Sequence, residues 1–328
     1  MIADEAEVAA PRKLGGRVDA VDCARGLALI GMAVFHLTWD LADFRLVSPA
    51  LPFSLPMRLF SHGVASVFLA LVGVSLALAH RNKLKLPAFW RRLAVVGGAA
   101  ALVTIASSVF APGQTIWFGI LHCIAVASLL ALPFVEAPAW ASLVVGIAAI
   151  ALPVFVHSKL FDPPALLWLG LGEALPNTVD WRPLLPWAGV VFLGLGGARA
   201  PGALKALTSP ARWRAKSSAS RAVCFAGRHS LAVYLIHQPI LIGLVAAAAQ
   251  SGLFATFPAP KPDYNAFLSA CTRTCEAKGR AAEDCETSCQ CVADAVGVSG
   301  EAERLATGAL GAAAKADLKR MVDACMGR

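Results

Sequence analysis

The sequence predicts an all-α protein: a polytopic transmembrane helix bundle of about seven spans, followed by a small C-terminal Cys-rich helical domain. Three observations carry that expectation. Charged residues make up only 15% of the chain and the mean hydropathy is +0.64, whereas a soluble domain carries about 25% charge. The apolar residues gather into runs of about 18 to 22 with almost no charge, long enough to cross a hydrocarbon core of about 30 Å. Cysteines concentrate after residue 263, where the apolar runs have stopped.

Taken in order, the polar stretch 1–16 includes Asp4, Glu5 and Glu7 and so lacks the basic start of a secretory leader. The first apolar run leads into Leu37-Thr38-Trp39-Asp40 rather than a small-residue cleavage site, so it is expected to be kept as a span. Spans are expected at about 22–40, 60–79, 90–110, 116–135, 139–157, 184–200 and 225–249, which makes 17–250 the membrane domain.

The formal charge of +8 does not point to nucleic acid, because the basic residues sit in short loops between apolar runs and not on a basic face. They are also unevenly shared. Arg12, Lys13 and Arg17, then Arg81, Lys83, Lys85, Arg91 and Arg92, then Arg199, Lys205, Arg212, Arg214, Lys216 and Arg221 fall on one side; Arg45, Arg58, Lys159 and Arg182 fall on the other. The positive-inside bias therefore predicts a cytoplasmic N-terminus and, after seven spans, a C-terminus outside. The outer segment 158–186 is rich in Pro and Trp, including Pro163, Pro164, Trp168 and Trp181, with Trp187 just beyond. Such a segment either anchors at the interface or forms a lid over an outside-facing site.

Residues 251–262 read as a Pro-rich linker, and 263–328 as a soluble helical domain. Cys271/Cys275 and Cys285/Cys289 are each four apart, so each pair shares one helix face. Nested bridges Cys271–Cys289 and Cys275–Cys285 would fit a hairpin, with Cys291–Cys325 tying a further helix. Fifteen pairings are open to six cysteines, and a zinc–thiolate site is the rival reading. An outside location favours disulfides. Cys23, Cys123 and Cys224 are expected to act as small buried hydrophobes.

Ionisable groups in spans are costly and so are functional candidates. Asp22 and Arg25 stand at the entrance of the first span, and His36 lies about 21 Å beyond Asp22, with Asp40 one turn further on the same face. The carboxylate could orient the imidazole, or the pair could simply face water at the helix end. His122 lies in the fourth expected span; Arg228, His229 and His237 lie in the seventh, where Pro239 should free a carbonyl. His62, His80 and His157 are read as interface residues.

At these residues a resemblance appears. Val21-Asp22-Cys23-Ala24-Arg25-Gly26 through Phe35-His36-Leu37-Thr38-Trp39-Asp40 resembles the opening of the bacterial heparan-α-glucosaminide N-acetyltransferase catalytic-domain family. Further matches are Phe68-Leu69-Ala70-Leu71-Val72-Gly73-Val74-Ser75, Phe118-Gly119-Ile120-Leu121-His122, Leu184-Leu185-Pro186-Trp187 and Gly227-Arg228-His229-Ser230-Leu231. Arg25-Gly26 with His36 is also similar to a pattern in the broader transmembrane acyltransferases. The resemblance covers the membrane domain and none of the tail.

It implies a multi-pass enzyme of the bacterial inner membrane that moves acetyl from cytoplasmic acetyl-CoA to an extracytoplasmic sugar amine or hydroxyl, with no metal. Arg25, Arg228 and the basic loop from Arg81 would receive CoA phosphates, with Asp22 and His229 beside them. His36 would be general base or acetyl carrier with Asp40 holding its ring, and His122 and His237 would complete the catalytic set. Asp180 and Trp187 would meet the sugar. The eukaryotic members carry their proposed histidine in the luminal loop after the first helix, where this sequence has no counterpart, so His36 rests on the first-helix pattern. Beyond lipid and glycan, a periplasmic protein bound by the tail and a second copy of the chain are the partners to consider. The competing functions are a proton-coupled transporter using the same histidines and a scaffold acting through its tail.

Overall fold

The structure is a computed structural model that describes residues 18–209, 213–252, 254, 257, 264–277, 279–299 and 312–327; all regular structure among them is helical. The polar stretch 1–16, most of the linker, and Arg12, Lys13, Arg17 and Arg212 lie outside the described residues. The chain divides between residues 254 and 255 into two compact units.

In the first unit, α1 (Asp19–Asp43), α2 (Leu55–Ala79), α3 (Leu86–Phe110), α4 (Ile120–Ala131) and α5 (Ala139–Phe155) are followed by the short α6 (Pro164–Leu167). After these come α7 (Leu184–Arg199), α8 (Ala203–Thr208), α9 (Ser218–Arg228) and α10 (Ser230–Gln250). α2 and α3 each begin with proline in the first turn, Pro56 and Pro87, where a missing N–H leaves no bond unmade. Four helices are long and apolar enough to cross a bilayer: α1, α2, α3 and α10. The fourth, fifth and sixth expected spans are apolar too, but shorter, at Ile120–Val135, Ala139–Phe155 and Leu184–Arg199. Exposed Leu102, Ile105, Val109, Ile236, Ile240 and Leu244 on α3 and α10 give these helices an apolar outer surface of the kind lipid requires.

α7 occupies the middle, against α2, α4 and α5, while α1 packs on α2, α9 and α10. Small residues let these backbones approach. A Cβ at Gly73 of α2 would lie 2.0 Å from the Val191 carbonyl oxygen of α7, and one at Gly194 would lie 2.1 Å from that of Ala70. The same device closes α1 on α9, where a Cβ at Gly26 would stand 2.1 Å from the Val223 oxygen and one at Gly227 would stand 1.8 Å from the Asp22 oxygen.

The seventh expected span is in fact two helices. α9 ends at Arg228, His229 leaves the helical region with φ −105° and ψ 30°, and α10 starts at Ser230. α9 is too polar for lipid on its outer side, with Ser218, Ser220 and Arg221, and instead buries Cys224 and Gly227 against α1. Arg228 and His229 therefore stand at the junction and not inside a span. A second correction concerns Cys23 and Cys224. They are disulfide-bonded to each other, so they are not independent buried hydrophobes; only Cys123 stays free and buried. The glycine-mediated approach of α1 and α9 brings their Cα atoms to 4.0 Å.

The second unit is built from α11 (Tyr264–Glu276), α12 (Ala282–Ser299) and α13 (Ala312–Met326). Cys271–Cys289 and Cys275–Cys285 staple α11 to α12, and Cys291–Cys325 ties α12 to α13. All six sulfurs are bridged, which leaves none of them as a thiolate for zinc. Val292, Val296 and Cys325, with Phe267, Leu318 and Val322, form a core too small to hold three helices unaided.

Candidate active site

At the end of the bundle where α1 begins, four charges interlock. Asp22 is buried on the first turn of α1; its Oδ1 accepts from Arg25 at 3.2 Å and its Oδ2 from Arg228 at 3.1 Å. Arg228 also reaches Asp19 at 3.0 Å, and Arg25 donates to Ser75 of α2. The sequence thus brings Asp22, Arg25 and Arg228 together, but as a layer in which two carboxylates balance two guanidiniums. His229 is exposed beyond it and donates Nδ1–H to the Phe225 carbonyl at 3.0 Å. The cationic surplus on this side comes from Arg81, Lys83, Lys85, Arg91 and Arg92, together with Arg199, Lys205, Arg214, Lys216 and Arg221.

His36 lies eleven residues along α1 from Arg25, or about 17 Å. Its Nδ1 is 2.8 Å from Nε2 of His237 on α10, and Nδ1 of His237 is 2.6 Å from the Tyr234 carbonyl. A carbonyl can only accept, so His237 carries its proton on Nδ1 and, when neutral, offers a lone pair at Nε2. That lone pair takes the Nδ1–H of His36. By elimination Nε2 of His36 is left unprotonated, which makes it a base whose tautomer is imposed by its neighbour.

Asp40 is placed beside this pair without holding the imidazole. Its Oδ1 accepts from Nε2 of Gln238 at 2.8 Å, so the oriented His–Asp pair expected from the four-residue spacing is replaced by a His–His pair across two helices. The reason is tertiary: α10 packs on α1 and presents His237 to His36 and Gln238 to Asp40, with Gln238 close enough to act on His36 as well. Among the described residues, Asp40 Oδ2 and Gln238 Oε1 are buried without a hydrogen-bond partner. Buried orphan acceptors call for a donor from water or a ligand.

His122 is not recruited to the pair. Its Nδ1 accepts the Gly119 N–H at 3.3 Å and its Nε2–H faces Thr104 Oγ1 at 3.2 Å, so both ring nitrogens serve to fix the start of α4 against α3. Asp180 serves the same turn, with Oδ2 accepting the Ile120 N–H at 2.9 Å. This takes up one of its two oxygens. The charges of Asp180 and Arg182 are felt at His36 and Tyr234.

One cluster was missed by sequence reasoning. Arg182 donates to Ser61 of α2 at 2.8 Å and its guanidinium lies 5.1 Å from the ring centre of buried Trp187. His62 stacks on the same indole at 5.4 Å. Trp187 was expected at the site, but Arg182, His62 and Ser61 were not, because Ser61 and His62 meet Arg182 and Trp187 across more than a hundred positions. Together they supply cationic, aromatic and hydroxyl groups on the side of the bundle remote from the Asp22 layer.

Residues 17–239 match the family described as heparan-alpha-glucosaminide N-acetyltransferase, catalytic. The chain belongs to that family. The match takes in the ion-pair layer, both histidines of the pair and the Arg182–Trp187 cluster, and it stops before the cysteine-rich unit. No curated protein and no solved structure matches the chain. Family membership makes this an acetyltransferase-type chain, and its apolar helices make it a membrane protein.

Proposed function

We propose that the protein transfers acetyl from acetyl-CoA to an amine or hydroxyl of a sugar, with Nε2 of His36 as the general base. The observation that carries this reading is the His36–His237 contact, which leaves a base with a fixed tautomer inside the matched family region. The acceptor N–H or O–H gives its proton to Nε2 as its lone pair attacks the thioester carbonyl. His36 is then an imidazolium hydrogen-bonded through Nδ1 to His237, and it returns the proton to the thiolate as the C–S bond breaks, releasing CoA and the acetylated sugar. Asp40 and Gln238 offer buried acceptors to the incoming donor group, while exposed His62 and the Arg182 guanidinium, both backed by the buried Trp187 indole, offer an aromatic and hydrogen-bonding wall for a sugar ring.

The bias of basic residues supports a cytoplasmic N-terminus in a bacterial inner membrane, and hence a donor entering from the Arg25 and Arg228 side. CoA phosphates would meet the exposed face of Arg228 and the Arg81–Lys85 loop rather than Arg25, which is engaged by Asp22 and Ser75. The test is transfer of labelled acetyl from acetyl-CoA to a panel of amino sugars by the purified full chain in lipid nanodiscs. Transfer by the wild type that is lost in His36→Ala is expected. A His36→Ala protein that transfers at the wild-type rate would overturn the assignment.

A further inference from the structure

α3 carries an arginine that no described residue neutralises. Arg92 lies six residues into the helix, about 9 Å from its first residue, just below the level where exposed Trp90 marks the interface. Among the described residues it has no hydrogen-bond or ion-pair partner, and the charge that acts on it is that of Arg25, which has the same sign. An arginine at that depth ordinarily has a counter-charge or a carbonyl to pair with.

What it lines instead is a narrow crevice between α2, α3 and α4, open on its outer side. Leu76, Leu93, Val96 and Ile124 supply apolar walls, while Arg92 and Ser128 are the polar groups. The stretch from residue 81 to residue 92, which leads into α3, holds Arg81, Lys83, Lys85, Arg91 and Arg92 and no carboxylate. The pairing of one cation with a narrow apolar slot suits a ligand that is anionic at one end and hydrocarbon at the other. The molecule present in excess around a spanning helix with those two properties is an acidic phospholipid.

We propose that this crevice binds an anionic phospholipid of the surrounding leaflet, with its phosphate on Arg92 and the upper part of an acyl chain along Leu76, Leu93, Val96 and Ile124. The phosphate is the recognised group, and the lipid supplies it along with the chain that fills the slot. Binding would neutralise Arg92. None of this depends on acetyl transfer.

The test is retention of lipid by the purified full chain in native mass spectrometry, with phosphatidylglycerol and phosphatidylcholine supplied in equal amounts. Phosphatidylglycerol should be retained preferentially, and Arg92→Gln should lower its retention roughly fivefold or more, the effect of about one interfacial cation. Arg92→Lys should keep most of it, Arg91→Gln should leave it unchanged, and Ala125→Leu, which narrows the slot without touching the charge, should reduce it. If Arg92→Gln fails to fold, the Lys and Leu variants decide, and equal retention by wild type and Ala125→Leu would then overturn the proposal. Equal retention by wild type and Arg92→Gln would do the same. So would displacement of phosphatidylglycerol by free CoA, with CoA binding lost in Arg92→Gln, since the slot would then belong to a donor phosphate.

Discussion

Replacing His237 by alanine tests the histidine pair where the two readings of the first helix differ. In the wild type, Nδ1–H of His36 is held 2.8 Å from Nε2 of His237. Once His36 has accepted a proton, that bond is to a charged donor, and losing it costs about 1.5–3 kcal/mol, or about one to two decades in rate. A second loss adds to it, because a free imidazole can place its proton on Nε2, so that the remaining lone pair on Nδ1 faces the vacated His237 position. We expect kcat to fall roughly a hundredfold or more. KM for acetyl-CoA should hardly move, since the Asp22 layer is untouched. Initial rates in nanodiscs would be measured for His36→Ala, His237→Ala and the double variant, each checked for an unchanged melting temperature. Residues acting as one unit are not additive, so the double variant should be no slower than His36→Ala. An unaffected His237→Ala, or a double variant slowed by the product of the two single effects, would refute the reasoning.

Four further outcomes follow from the structure. Gly227→Val should lower stability by about 1–3 kcal/mol through overpacking, read as a drop in melting temperature, because even a Cβ there stands 1.8 Å from the Asp22 oxygen. Protease cleavage between residues 201 and 217, in protein purified under oxidising conditions, should give fragments that stay together on a gel without reductant and separate with it, as the Cys23–Cys224 bridge joins the two sides of the cut. Burial, then Arg92 and Lys85, hold the imidazole of His80 below its ordinary 6.5, and its Nδ1 accepts the Lys85 N–H at 3.0 Å. The unfolded chain therefore takes up this proton first, so the contribution is whole above 6.5 and erodes as pH falls below it; His80→Gln should flatten the acid limb of melting temperature against pH. Deleting residues 258–328 should leave acetyl transfer at the wild-type rate, because the family match ends before them.

The spans were legible because lipid imposes a length and a polarity that no other solvent does, and α1 to α3 follow the apolar runs within a few residues. The tail bridges were legible because a four-residue spacing repeats on each of two neighbouring helices. The break at His229 was not, since apolar Val223, Phe225 and Ala226 extend the apparent run backwards into a helix that belongs to α1's flank. Asp40 was misread for a related reason. Periodicity reports which residues share a face on one helix, and the partner of His36 comes from another helix two hundred positions away. The same blindness hid Arg182 with Ser61 and Cys23 with Cys224, which are contacts made by packing and carry no local pattern.

The crossing of α1 and α9 reaches further than the residues that touch there. α1 bears His36, while α9 connects through the single residue His229 to the helix that bears His237. Backbone meets backbone at Gly26 and Gly227, and a sulfur bridge pins the neighbouring turn. The spacing of the two imidazoles is therefore set from the opposite end of the molecule, as the tips of a pair of tongs are set by the rivet. A methyl group added at that pivot would spread the tips and slow the chemistry while every reacting side chain remained intact.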